Sequence, residues 1–247
     1  MKKIVIIGAT SGIAMACTRI WIKNEPANLL LVARDLERTK PLASDLLVRS
    51  PGSTVEVLAC NFSEPSEIGD LVYKIAKQGQ VDIVLIAQGS LPDQLDCEND
   101  LLLSNDTLVI NGVSPCLFAE AFANVMQAQS SGKIAIIGSV AGDRGRKSNY
   151  VYGAAKGLVA RYAEGMQHRF AGTGIRISLI KPGPTATAMT AKLRENGLKC
   201  ASAASVAQDI VRGIDKGQAV IYAPKKWQLI MLIVRHIPAV IFNKLNI

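Results

Sequence analysis

Short apolar runs alternate along the chain with longer stretches in which apolar residues recur every three or four positions. "KIVIIG" (3–8), "NLLLVAR" (28–34), "TVEVLAC" (54–60), "VDIVLIAQG" (81–89), "GKIAIIGS" (132–139) and "IRISLIKPG" (175–183) read as strands. Helical stretches fill the intervals. One runs from Ile13 to Lys23. A second covers 35–50 and carries Pro41, which must sit in the first turns or mark a break. A third, "SEPSEIGDLVYKIAKQG", offers Ser63 or Ser66 as caps and sets Ile68, Leu71, Val72 and Ile75 at helical spacing. Long helical stretches precede each of the last two strands. Near-continuous apolar strands alternating with helices predict an α/β fold: one doubly wound parallel sheet with helices on both faces. Ligands of such sheets bind beyond the C-terminal ends of the strands, so chemistry is to be sought just after each apolar run.

Composition narrows the class. The chain has 247 residues, 49% of them hydrophobic, which suits one large domain with an ample core. Its mean hydropathy of +0.23 points to a large partner interface or membrane contact. Five cysteines (Cys17, Cys60, Cys97, Cys116, Cys200) are scattered without a CxxC pair, and there are two histidines. That pattern argues against a disulfide framework and against a metal site, and for a reducing, cytoplasmic compartment. The formal charge is +8. Aromatics make up 5% and no nucleic-acid module is present, which excludes nucleic acid as the partner such charge would serve.

"IVIIGATSGIAMA" (4–16) follows the first strand and opens the first helix. Gly8 and Gly12 let the chain turn sharply, and backbone N–H groups at a helix N-terminus can hold a pyrophosphate. The spacing is G-x-x-x-G-x-A, with Ala14 where a third glycine would stand; that position needs a small side chain under the helix. Met1-Lys2-Lys3, the apolar run and Ala14-Met15-Ala16 also resemble a secretory signal. Gly8, Thr10, Ser11 and Gly12 interrupt the apolar segment, and cleavage would delete the first strand.

The end of the second strand faces the adenosine ribose in a doubly wound nucleotide site. Ala33 and Arg34 stand there. A guanidinium pairs with a 2′-phosphate, which favours NADP(H) over NAD(H), although Asp35 follows at once. "YGAAK" sets Tyr152 and Lys156 on one helix face. A phenol is a poor acid–base group near neutrality, and a neighbouring ammonium favours its ionised form. Ser139 directly follows an apolar strand, and Asn111 stands in a helix that otherwise disfavours an amide.

In these residues the chain resembles the short-chain dehydrogenase/reductase family, in its NADP-dependent branch of this chain length. The resemblance covers residues 1 to roughly 220. It implies a Rossmann-type domain over 1–222 and a catalytic tetrad of Asn111, Ser139, Tyr152 and Lys156. Lys156 would also bind nicotinamide-ribose hydroxyls, and Asn111 would hold a water in a proton relay. The implied cofactor set is Gly8, Thr10, Ser11, Gly12, Ile13, Arg34, Asn61, Phe62, Gln88, Gly89, Tyr152, Lys156, Pro182, Gly183, Thr185 and Thr187. Three positions depart from the family pattern: Ala14 for glycine, Asn61 for aspartate, and Ala87-Gln88-Gly89 for Asn-Ala-Gly. The family implies a homodimer or homotetramer built on the helix around Leu117–Met126 and the helix carrying Tyr152.

Residues 223–247 form an apolar and basic tail, either part of the same domain or a contact surface. Residues 216–247 carry Lys216, Lys225, Lys226, Arg235 and Lys244 and no Asp or Glu. As a helix, Trp227–Val234 would be ~12 Å long against a ~30 Å hydrocarbon core, so it would lie in a membrane interface or pack across a subunit interface. The tail also resembles that of reductases acting on polyprenyl-phosphoryl keto-sugars. The primary expectation is therefore an NADP(H)-dependent carbonyl reductase or alcohol dehydrogenase, with a small-molecule or lipid-linked carbonyl substrate and a peripheral contact at the inner face of the membrane. A 3-oxoacyl thioester reductase meeting an acidic carrier, and a non-catalytic nucleotide sensor or scaffold, are the alternatives.

Overall fold

Val, Ile and Leu line both sides of the strands, and helices of matching apolar faces cover each side. The computed structural model describes residues 1–245; the last two residues of the tail lie outside the described residues. The chain opens with β1 (Lys2–Ile7), α1 (Gly12–Asn24), β2 (Ala27–Ala33), α2 (Leu36–Arg49), β3 (Thr54–Ala59), α3 (Pro65–Lys77) and β4 (Ile83–Ile86). Two short helices follow, α4 (Gln94–Asn99) and α5 (Leu101–Leu108), then a π-turn at Val109–Val113 and α6 (Ser114–Gln129). The second half runs β5 (Gly132–Ile137), α7 (Tyr150–Arg169), β6 (Ile175–Pro182), β7 (Thr185–Ala186), α8 (Ala191–Glu195), β8 (Ala201–Ser202), α9 (Ala203–Asp215) and β9 (Val220–Ala223). The tail forms α10 (Lys226–His236) and α11 (Ala239–Phe242).

Among the described residues the main sheet has seven strands in the order β3-β2-β1-β4-β5-β6-β9, and every neighbouring pair is parallel. The order reverses between β1 and β4, which makes their C-terminal ends the switch point at which open α/β sheets bind ligands. Alternate residues of each strand feed two cores. Val5, Ile7, Val84, Ile86, Ile134 and Ile136 meet α3, α6 and α7 on one face. Ile4, Ile6, Leu29, Leu31 and Leu85 meet α1, α2 and α9 on the other.

Among the described residues, one helical stretch, Leu101–Gln129, is long and apolar enough to cross a membrane. Its Phe118, Phe122 and Met126 are fully buried in the first core, each worth about 1.5–3 kcal/mol, so packing inside the protein accounts for its composition.

Two local expectations are corrected, and Pro41 takes the first of its two expected placements. Neither Ser63 nor Ser66 caps α3; Glu64 holds the cap position without a side-chain bond, because Pro65 fixes the first helical residue. Pro41 lies in the second turn of an unbroken α2. Glu37 and Pro41 are both exposed, so water can serve the carbonyl that lacks an N–H partner. Val220–Ala223 is a seventh strand that the apolar pattern leaves unassigned, and the 222/223 boundary falls inside it.

Candidate active site at the switch point

The glycine loop is built by a close backbone approach. Gly8 has φ +79°, and a Cβ there would lie 2.5 Å from the Gln88 backbone nitrogen. The end of β1 therefore packs directly on the chain leaving β4, a placement only glycine tolerates. The N–H groups of Gly8 and Ala9 both donate to Val32 O, at 2.9 and 3.1 Å, and Ser11 N–H donates to Gly8 O at 2.9 Å. Ser11 occupies the N-cap position of α1 with no side-chain cap bond, so its hydroxyl is uncommitted. Thr10 is exposed, and Ile13 is half-buried beside the core. Ala14 is fully buried with Ile4 and Ile6, which is the small-residue role its place in the loop requires.

Arg34 ends the second strand as an exposed side chain, and no salt bridge involves it among the described residues. Asp35 is spent differently. Its carboxylate accepts from Arg38 N–H at 3.1 Å as the N-cap of α2. Asn61 is exposed, and its Oδ1 accepts from Ser63 N–H at 3.1 Å. Phe62 is a core residue, edge-on to Phe118 at 5.6 Å between ring centroids, so only its backbone is free to meet a ligand.

The four residues expected to react stand close together. Asn111 lies in the π-turn, a distortion that concentrates at functional sites. Its Oδ1 accepts from Ser90 N–H at 3.1 Å, and its Nδ2 donates to Thr107 O at 2.9 Å. A Cβ at Gly89 would lie 2.7 Å from Asn111 Oδ1 and 3.8 Å from Lys156 Nζ, so both polar groups face that glycine. Lys156 Nζ is buried, donates to Ile137 O at 3.0 Å, and lies 5.7 Å from the Tyr152 ring centroid. Burial pulls the Lys156 pKa from 10.5 to about 8. The Ser139 hydroxyl accepts from Ala141 N–H at 3.1 Å and lies near enough to the Tyr152 phenol to favour its ionised form.

Tyr152 differs from the sequence expectation in one respect. Burial raises its pKa, and the Ser139 hydroxyl offsets this in part. Lys156, turned to Ile137 O, does not bring the phenol below its ordinary value. At neutral pH the tyrosine therefore carries its proton.

Gln88 is buried, with Nε2 donating to Ser114 Oγ at 3.2 Å; its Oε1 is buried without a partner among the described residues. Pro182 and Gly183 end β6, and Thr185 Oγ1 donates to Gly183 O at 2.9 Å. The following loop returns over the glycine loop: a Cβ on Gly12 would lie 3.0 Å from Thr187 Cγ2.

Sequence reasoning misses the wall opposite. Trp227 of α10 packs on the Pro-Gly turn so closely that a Cβ on Gly183 would lie 1.9 Å from its indole nitrogen. Lys181 and Asp143 form a buried ion pair at 2.5 Å, and Tyr222 OH donates to the other Asp143 oxygen at 2.9 Å. A lysine inside the apolar run "SLIKPG" is the one sequence signal for that pair.

The profile of the family described as short chain dehydrogenase matches residues 2–197. The chain belongs to the short-chain dehydrogenase family. Its members are oxidoreductases of alcohol and ketone groups. An uncharacterized oxidoreductase from the mprA 5′ region of Streptomyces coelicolor is 26% identical over 247 residues, covering 99% of this chain and 96% of that one. An uncharacterized oxidoreductase of Staphylococcus aureus (strain USA300) is 30% identical over 192 residues, covering 77% and 80%. Among solved structures, a short-chain dehydrogenase from Sphingobium yanoikuyae in complex with NADPH superposes with a TM-score of 0.81 at 20% identity, covering 97% of each chain. The bulky-bulky ketone specific alcohol dehydrogenase from Comamonas testosteroni gives 0.80 at 21% identity, covering 97% and 96%. These two structural likenesses bear on the fold, the doubly wound parallel sheet expected from the apolar pattern.

Proposed function

We propose that this short-chain dehydrogenase is an NADP(H)-dependent carbonyl reductase, with Tyr152 as the proton donor. The observation that carries the reading is the grouping of Ser139, Tyr152 and buried Lys156 beside the C-terminal end of β5, with Lys156 Nζ 5.7 Å from the Tyr152 ring centroid.

The residues present fit the cofactor. Gly8 makes the tight turn that ends at the α1 N-terminus, where the free Ser11 hydroxyl and backbone N–H groups would hold the pyrophosphate. Arg34 would take the 2′-phosphate, and Asp35, engaged as a helix cap, does not compete for a ribose. The NADPH complex of the Sphingobium yanoikuyae relative supports the same choice. Asn61 and the Phe62 backbone would border the adenine. Gln88, Gly89, Pro182, Gly183, Thr185 and Thr187 would line the nicotinamide half. When bound, the cofactor supplies the hydride.

The chain's own groups manage the oxygen. Ser139 orients the carbonyl oxygen by hydrogen bonding. Tyr152, holding its proton at neutral pH, donates it as negative charge develops on that oxygen. Lys156 would stabilise the phenolate left behind and would hold the ribose of the bound cofactor. Asn111 fixes the Gly89–Ser90 backbone and supports reprotonation of the lysine through water.

The finer reading is a keto-sugar carried on a polyprenyl lipid, with the protein in peripheral contact with the membrane. It is supported by the outward face of the tail, where Leu229, Leu232, Ile233, Val240 and Ile241 are exposed beside Lys225, Lys226 and Lys244.

NADPH oxidation against keto-sugar lipids, acyl thioesters and simple ketones tests the reaction. Tyr152→Phe should lose about 10²–10⁴-fold in kcat with NADPH affinity retained. Full turnover by that variant would sink the assignment of Tyr152. Replacing Leu229 and Ile233 by Gln should release the protein from vesicles rich in anionic lipid; unchanged cosedimentation would remove the membrane reading. Truncation after Pro224 is a poorer test, because it removes Trp227 from the Pro-Gly turn.

A further inference from the structure

The loop between Ser139 and Tyr152 carries more positive charge than its surroundings balance. Asp143 is its carboxylate, and both oxygens are taken, by Lys181 Nζ at 2.5 Å and Tyr222 OH at 2.9 Å. Arg146 also feels the field of Asp143 but hydrogen-bonds neither of its oxygens.

Arg146 is the group left without a partner of its own. Its Nε is buried with no hydrogen-bond partner among the described residues, and its Nη2 reaches only the Met231 sulfur, at 3.8 Å. The neighbouring Arg144 is committed: it donates to Val234 O at 2.7 Å and Ile237 O at 2.5 Å and stacks on the Phe242 ring at 3.7 Å. A buried guanidinium N–H with no acceptor is costly, and a planar donor fork suits a phosphate.

We propose that Arg146 is the anion-binding subsite for the substrate, and that the anion is a phosphate ester. The proposal rests on the reading of Ser139 and Tyr152 as the reacting site, since the loop joining them lines one side of it. The subsite ties specificity to charge: a carbonyl compound bearing phosphate is held on the side of the cleft that α10 covers.

The test is binding, measured by calorimetry on the full chain with saturating NADP⁺, so that the glycine loop and Arg34 are filled. The probes are inorganic phosphate and dodecyl phosphate. Saturable binding by the wild type is expected, weakened about tenfold or more in Arg146→Gln and partly recovered in Arg146→Lys. Lys147→Gln, an exposed neighbour, should bind as wild type does. Without ligand, Arg146→Gln should melt at or above the wild-type temperature, because it removes an uncompensated cation; a purely structural arginine would lower it. Tighter binding of dodecyl phosphate than of phosphate identifies a lipid phosphate, and equal binding a soluble phosphorylated carbonyl. Absence of saturable phosphate binding, or equal binding by Arg146→Gln and wild type, overturns the subsite. Phosphate binding that survives while every carbonyl in the panel fails would overturn the reductase reading instead.

Discussion

Replacing Lys156 with methionine should make the protein more stable and inactive. The ammonium is 2% exposed and has one hydrogen-bond acceptor, Ile137 O at 3.0 Å. Burial moves its pKa from 10.5 to about 8. At about 1.4 kcal/mol per pH unit, that interval costs the folded state about 3 kcal/mol at pH 7. Losing the bond to Ile137 O returns about 1 kcal/mol, so Lys156→Met should gain about 2 kcal/mol. The pH dependence fixes the cause. Below about pH 8 the lysine is charged in both folded and unfolded chains, and the full cost is present. Between there and 10.5 the unfolded chain binds more protons, so wild-type stability rises with pH relative to the variant. By pH 10 the advantage of the variant should have fallen to roughly zero. Urea unfolding of both proteins at pH 7 and pH 10 measures the two differences. A variant less stable than wild type at pH 7, or a difference that ignores pH, would refute the reasoning.

Three further outcomes follow from single contacts. Arg34→Asp should raise the KM for NADPH about tenfold to a hundredfold and improve the use of NADH, read by steady-state kinetics with both cofactors; an unchanged preference places the 2′-phosphate elsewhere. Asp143→Asn leaves Lys181 buried without its counter-charge and should cost about 3–5 kcal/mol in denaturant unfolding, whereas a loss below about 1 kcal/mol would mean that water reaches the pair. Gly183→Ala has no room for its methyl against Trp227, so it should expel the indole, red-shift its fluorescence and weaken turnover; an unchanged emission spectrum would contradict the packing.

What the sequence reveals here follows the range of the interaction. The strands are legible because each is apolar on both faces, as a sheet sandwiched between helices must be. Tyr152 and Lys156 are legible because one helical turn separates them. Val220–Ala223 escapes notice because a four-residue strand gives too short a pattern to separate from a turn. The role of Asp35 depends on backbone geometry: the same carboxylate can greet a ribose or cap a helix, and only the position of Arg38 N–H decides between them. The Lys181–Asp143 pair spans 38 residues, and no local periodicity links its members. The raised pKa of Tyr152 is beyond the motif for the same reason, since burial is set by the assembled fold.

The tail changes meaning most. Read as a sequence, it is an appendage with two possible partners, a membrane or another subunit. In the fold its inward face belongs to the site. Trp227 closes on Gly183, Met231 meets Arg146, and the carbonyls of Val234 and Ile237 hold Arg144. These contacts fall one helical turn apart along α10, so a single helix bridges the Pro-Gly turn and the loop between Ser139 and Tyr152. Its outward face carries Leu229, Leu232 and Ile233 in solvent. Whatever covers that outward face acts on a rigid element already fastened to both sides of the cleft. A surface contact that shifts α10 by a fraction of a turn would therefore move Trp227 against Gly183.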